Sequence, residues 1–496
     1  MKAFKICYVS SEVDPFAATD TNAGLADTSN ALPVALKEME QDIRLMMPKY
    51  KSINERKYVL REVIRLREVK VELASQTKIA NGKTAFLPNS KVHVYFLSVP
   101  EHFDRKGFYA DPQTRETYPD NAERFAYFCK GVFETLKLLY WQPDIIHCND
   151  WGTALIPFYL KTHYQNDDFF QNTHTILTVH NFSEQGVFPM ETAARIGIGE
   201  EFIAPGREFE LKGSLNLLKG GMLFADVINT VGERFAEAII SDPKAAPGLR
   251  EVIAARQKDI FGVLNGTDYS IWNPETDKNL SANYDLKSLG NKSANKKELC
   301  RELSLENDTS LPLIALMGEL SEVNGAELVL ESINNLLKLK AQWIVMGAGE
   351  SPYNETFKKL AGEHPGKLIF YERWDTRLAH LILAGADMLL LPAKSDPRHG
   401  YHLESLRYGT VPVVREVNEL AECISNFEPD SGKGNGFTFS AFKKSEMVNT
   451  LQAALKLYPD KKTWARIQRN GMKGDFSWQA TAKKYLKLYE RASRKK

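Results

Sequence analysis

Residues able to do chemistry gather just beyond short apolar runs of this 496-residue chain. His180 and Asn181 close the block TVHN behind the run 176–179, and Gln185 follows in QGVFP. Asp150 stands in HCNDW behind 145–147, while Glu319 and Asn324 stand in GELSEVNG behind 313–317. Asp396 and Glu404 follow the run 388–391, eight residues apart, and Asn418 follows 411–414. Near the start, Thr21 and Gly24 lie in ATDTNAGLAD behind 6–10. In parallel α/β sheets the ligand crevice opens at the carboxyl ends of the strands, so imidazole, carboxylate and amide groups at these points are where chemistry is expected. No Asp-x-Asp or Cys-x-x-Cys ligand pair stands out, and no metal is expected. Gly347-Ala348-Gly349 lacks the third glycine and the acidic ribose ligand of a dinucleotide fingerprint, and reads as a strand-to-loop turn.

The elements that must position these residues alternate. Strand-like runs at 6–10, 43–47, 92–99, 145–147, 176–179 and 227–231 are separated by helical segments, and the pattern returns at 313–317, 343–346, 368–371, 388–391 and 411–414. Such alternation argues for two doubly wound parallel sheets. A turn-rich stretch, NGTD at 265–268 and WNP at 272–274, separates the two series, and the boundary is expected near residue 260.

Composition removes other classes. Hydrophobic content of 43% and charged content of 26% suit a globular chain. A net charge of +1 gives no electrostatic case for nucleic acid or anionic membrane, and no run approaches the roughly 20 apolar residues of a membrane span. Five scattered cysteines and an N-terminus without a secretory pattern lead to the expectation of a cytoplasmic protein.

The blocks SSEVDPF (10–16), GLAD (24–27), MPKY (47–50), HCNDW (147–151), TVHN (178–181), QGVFP (185–189), NGTDYSIWNP (265–274), RYGTVPVVR (407–415) and RNGM-x-x-DFSW (469–478) resemble, in this order, bacterial glycogen synthase and plant starch synthase. The resemblance implies a GT-B fold with two Rossmann-like domains facing a central cleft. Residues 1–260 would form the acceptor side, 261–470 the nucleotide-sugar side, and 471–496 a helix returning toward the first domain. It implies retaining transfer of glucose from ADP-glucose to the non-reducing end of an α-1,4-glucan, without a cofactor. Negative charge then builds on the leaving diphosphate, so preorganised cations and backbone N–H groups matter most.

Carried over by position, His180 and Asp396 are the catalytic candidates, His180 beside the transferring glucose and Asp396 in SDPRHGYH, where the family has a glutamate. Asp150, Asn181 and Gln185 would meet the acceptor, although Asn149 stands where the family has a second histidine. Thr21, Gly24, Glu319, Asn324, Glu404 and Asn418 occupy donor-side positions, Glu404 resembling the ribose-binding acid of related transferases. Here the chain departs from the pattern. Thr21 stands in place of a lysine, Glu319 of an arginine and Asn324 of a lysine, and VNEL (417–420) replaces a glycine-rich TGGL. Arg373, Lys394 and Arg398 are the substitute cations within reach of sequence reasoning. Two readings therefore remain open at this point: a working glucan synthase, or a catalytically degenerate protein of the same fold that binds glucan or a partner enzyme. A transferase with another nucleotide sugar is a third.

Overall fold

Buried apolar runs build two separate parallel sheets, each belonging to its own folding unit. The computed structural model describes residues 3–19, 23–242, 244–305, 310–395 and 401–495, without the side chains of Ala23 and Asn418. One unit comprises Met1–Asn265 with Trp478–Lys496, and the other Gly266–Ser477.

In the first unit the parallel strands lie in the order Ile260–Gly262, Val227–Thr230, His174–Val179, Ile145–Asn149, Lys5–Val9, Asp42–Pro48 and His93–Ser98. Chain order runs outward from Lys5–Val9 in one direction and then, from Ile145–Asn149, in the other. The reversal creates a topological switch point between these two neighbours, the place where doubly wound sheets hold ligands. Residues 10–12 and Asp150 leave the sheet there. An antiparallel extension, Gln76–Phe86 with Arg61–Glu62 and Val69–Leu73, continues the far edge. The sequence reading did not anticipate it, because its half-exposed strands lack the buried apolar runs that marked the others.

The helix Trp478–Ala492 packs within this unit. Its Tyr485 and Tyr489 are fully buried, and their hydroxyls reach Asn229 Nδ2 at 3.0 Å and His147 Nδ1 at 2.9 Å. The helix thereby grips the strands whose ends carry the candidate residues.

The second unit holds six parallel strands in the order Leu368–Tyr371, Gln342–Met346, Leu313–Met317, Met388–Leu391, Val411–Arg415 and Phe437–Phe439. Its switch point falls between Leu313–Met317 and Met388–Leu391, whose residues are all buried. Asp387, at the foot of the second of these, accepts the Leu313 N–H at 2.8 Å and pairs with buried Lys296 at 2.7 Å, fixing the two strands at the switch point. Among the described residues, no helix is long and apolar enough to cross a membrane.

Candidate active site

The switch point of the first unit carries a cluster of buried polar groups. Asp150 leaves its strand with φ 53°, a left-handed conformation that turns the chain at once into Trp151–Thr153. Its N–H donates to Thr178 O at 2.9 Å, and its Oδ1 accepts the His180 N–H at 2.7 Å. Asp150 Oδ2 is buried without a hydrogen-bond partner among the described residues, and so is His180 Nδ1. The other ring nitrogen, His180 Nε2, lies 3.0 Å from Asn149 Oδ1. Burial lowers the His180 pKa to about 4, leaving a neutral imidazole at physiological pH. Two unpaired polar atoms on adjacent strand ends suit a ligand that brings hydroxyl groups, which both donate and accept.

Glu12, on the other side of the switch point, is a residue that sequence reasoning passed over within SSEVDPF. It is fully buried, accepts the Thr19 N–H at 2.5 Å, and has Tyr109 OH at 2.8 Å. It thus fixes the chain that approaches the helix Ala23–Glu38. Its place directly behind the run 6–10, where a strand end is expected, is the sequence signal that could have flagged it.

Burial raises the pKa of Glu12 to about 7 and that of Asp150 likewise to about 7, the latter partly through repulsion by Glu12. Both folded-state values lie above the ordinary carboxylate range, so the folded protein takes up protons between about pH 4 and 7. Stability from this source is fully present below the unfolded pKa and is lost as pH rises through 7. Asp150→Asn is expected to raise stability at pH 8 relative to the parent by on the order of a few kcal/mol and to change it little at pH 4, as read by denaturant melts at both pH values.

Two acceptor-side candidates are occupied within the fold. Gln185 Nε2 donates to Phe182 O at 2.8 Å and to Pro247 O at 2.9 Å, and its Oε1 accepts from Asn216 Nδ2 at 2.7 Å. It works as a cross-link rather than presenting its amide to a ligand. Asn181 Oδ1 closes a local turn onto the Ser183 N–H at 2.9 Å. Gly186 beside them has φ +62°, and a Cβ there would come within 2.7 Å of the Trp151 ring, so glycine is required for the loop to lie on that indole.

In the second unit, Leu313–Met317 passes through Gly318 (φ +117°) and a turn ending at Gly325 (φ +80°) into the helix Ala326–Leu336. Gly318 N–H to Met346 O at 3.0 Å and Leu320 N–H to Ala348 O at 3.1 Å bind this turn to its neighbour. These backbone bonds hold the turn without an arginine or lysine inside it, and Lys394 pairs with its Glu322 from the neighbouring strand end. Glu319 is exposed at the turn, whereas Asn324 folds back, its Nδ2 donating to Glu319 O at 2.9 Å. Asn324 serves this turn as an internal brace.

Glu404, on His402–Arg407, accepts the Thr267 hydroxyl at 2.5 Å. His402 is buried with both ring nitrogens unpaired among the described residues, and its Nδ1 lies 3.9 Å from Glu419 Oε1. Asn418 begins the short helix Asn418–Cys423. Of the substitute cations, Lys394 is paired with Glu322 and Arg373 is exposed. Asp396, Thr21 and Arg398 lie outside the described residues. Gly24, in the first turn of Ala23–Glu38, is exposed, and a Cβ there would meet nothing within 4 Å among the described residues.

Two doubly wound α/β units with polar groups at their strand ends fit a glycosyltransferase of the GT-B class, and the similarities to known proteins place the chain there. The model of the starch synthase catalytic domain matches residues 5–255, and that of glycosyl transferases group 1 matches residues 302–473. Glycogen synthase of Desulforudis audaxviator is 36% identical over 100% of this chain and 97% of its own length, and glycogen synthase of Syntrophotalea carbinolica is 37% identical over 98% of each. Among solved structures, the catalytic domain of starch synthase IV from Arabidopsis thaliana, bound to ADP and acarbose, superposes with a TM-score of 0.83 at 25% identity over 100% of both chains. The chain belongs to the glycogen and starch synthase family.

Proposed function

We propose that this hexosyltransferase moves glucose from ADP-glucose to the non-reducing end of an α-1,4-glucan with retention of configuration. The observation that best supports the reading is the pair of buried, unpaired polar atoms, Asp150 Oδ2 and His180 Nδ1, at the switch point of a chain related over its whole length to glycogen synthases. Sugar hydroxyls, which both donate and accept, match these atoms. The starch synthase IV structure holds ADP and acarbose, which supports a nucleotide-sugar donor and a glucan acceptor here.

In the reaction, the bond from the anomeric carbon to the diphosphate oxygen breaks, a bond to the acceptor hydroxyl oxygen forms, and the hydroxyl proton leaves with ADP. Asp150 and His180 orient sugar hydroxyls. Asp396 is the second proposed catalytic group and Glu404 the ribose ligand, and the first turn of Ala23–Glu38, Gly24 included, offers backbone N–H groups to the diphosphate in place of the lost lysine. The reading draws on side chains and backbone alone, without a cofactor. A cytoplasmic site of action is part of it, supported by five buried, unbridged cysteines.

Labelled glucose transferred from ADP-glucose to glycogen should be released as labelled maltose by an exo-acting amylase that works from non-reducing ends. Label resistant to that digestion would contradict the proposed site of addition.

Gly24→Ala tests backbone approach to the donor. With no described residue near the new methyl group and better helix propensity, stability should hold or rise by about 0.5–1 kcal/mol. The KM for ADP-glucose should nonetheless increase severalfold, as steady-state kinetics would show. An unchanged KM would remove Gly24 from the donor site.

A further inference from the structure

We propose that Asn149 is a positioning residue that holds His180 in its Nε2–H tautomer, so that an unprotonated Nδ1 accepts a hydroxyl of the sugar ligand. The amide of Asn149 has one allowed orientation. Its Nδ2 donates to Val9 O at 3.0 Å, and its Oδ1 accepts the Tyr8 hydroxyl at 3.1 Å. Exchanging the two amide atoms would set Oδ1 against a carbonyl and leave two acceptors in contact. Oδ1 therefore faces His180 Nε2, and that nitrogen must bring the proton. Because burial keeps the ring neutral, the remaining nitrogen, Nδ1, carries only a lone pair.

The arrangement is braced from behind. Tyr8 packs edge-on against His147, with ring centroids 4.7 Å apart. His147 is locked between Thr178 Oγ1 at 2.7 Å and Tyr489 OH at 2.9 Å, and Asn149 N–H donates to Thr153 Oγ1 at 2.6 Å. These groups are all fully buried, so the amide that faces His180 has little freedom. The histidine that the family carries at this position could either donate or accept. Asparagine held in this way can only accept from His180. With Asp150 Oδ2 unpaired beside it, the two strand ends suit a ligand with at least two hydroxyls, one of them donating to His180 Nδ1.

The identity of the ligand rests on the glucosyl-transfer reading, but the tautomer does not. It can be read without turnover, by long-range proton–nitrogen NMR of the full chain with labelled imidazoles at pH 7.5, following the signal that disappears in His180→Gln. The expected pattern is a single Nε2-protonated ring. Protonation at Nδ1, or an even mixture, would overturn the proposal. Asn149→Leu should release the ring into both tautomers and lower kcat/KM about tenfold, the value of one hydrogen bond. Asn149→Asp keeps an acceptor toward His180 but sets its second oxygen against Val9 O, where a proton on the carboxyl restores the donor, so it should retain the Nε2–H form at a cost in melting temperature. If Asn149→Leu does not fold, the parent spectrum and the tautomer in Asn149→Asp still decide. A protein with the expected tautomer but no glucosyl transfer would count against the proposed function and leave the positioning role standing.

Discussion

Replacing His180 by alanine is expected to slow glucosyl transfer about a hundredfold, equivalent to about 2.7 kcal/mol of lost transition-state stabilisation. The ring is half-buried, and among the described residues its one hydrogen bond goes to Asn149 Oδ1, which keeps the Tyr8 hydroxyl after the ring is removed. The cost in folding stability should therefore stay near 1 kcal/mol. The His180 backbone N–H that binds Asp150 survives the substitution, so Asp150 remains in place. A large fall in kcat with a small fall in melting temperature, measured on the same preparation, would separate a ligand-contacting role from a structural one. Equal losses in both would assign His180 to the core.

Glu319→Arg with Asn324→Lys is expected to raise kcat/KM for ADP-glucose by about two to three orders of magnitude, the scale of charge-assisted contacts to a diphosphate. The turn that would present these cations is already formed by backbone bonds, through Gly318 to Met346 O and Leu320 to Ala348 O, and by the left-handed Gly325. Glu319 is exposed and its replacement is tolerated sterically. Losing the Asn324 Nδ2 bond to Glu319 O should cost about 1 kcal/mol of stability. Asn324→Ala, which removes the brace without adding charge, serves as the control and should show no gain. If the double variant is no faster than the parent, the diphosphate does not rest on this turn.

Much of the architecture was legible because parallel strands buried on both faces read as continuous apolar runs. Leu313–Met317, Leu368–Tyr371 and Met388–Leu391 match the sequence reading residue for residue. The antiparallel edge around Gln76–Phe86 was not legible, since one exposed face dilutes its apolar pattern. At the candidate site, the positions of His180 and Asp150 followed from their place behind strands. Their partners did not. Glu12 meets Thr19 and Tyr109, Asn149 meets Tyr8, and Glu404 meets Thr267 across 137 residues, and sequence spacing does not encode such contacts. The inward turn of Asn324 and the full engagement of Gln185 were hidden for the same reason: which way a polar side chain faces is decided by neighbours brought in from elsewhere in the fold.

The most direct test of glucan synthesis by this chain is the initial rate of labelled glucose incorporation into glycogen by the purified full-length protein, with ADP-glucose and UDP-glucose compared side by side. Sustained, saturable turnover with ADP-glucose is expected, exceeding turnover with UDP-glucose and falling about a hundredfold in His180→Ala. Incorporation indistinguishable from a protein-free blank with both donors, from a preparation that binds glycogen, would contradict it and point to a glucan-binding protein that has lost transfer.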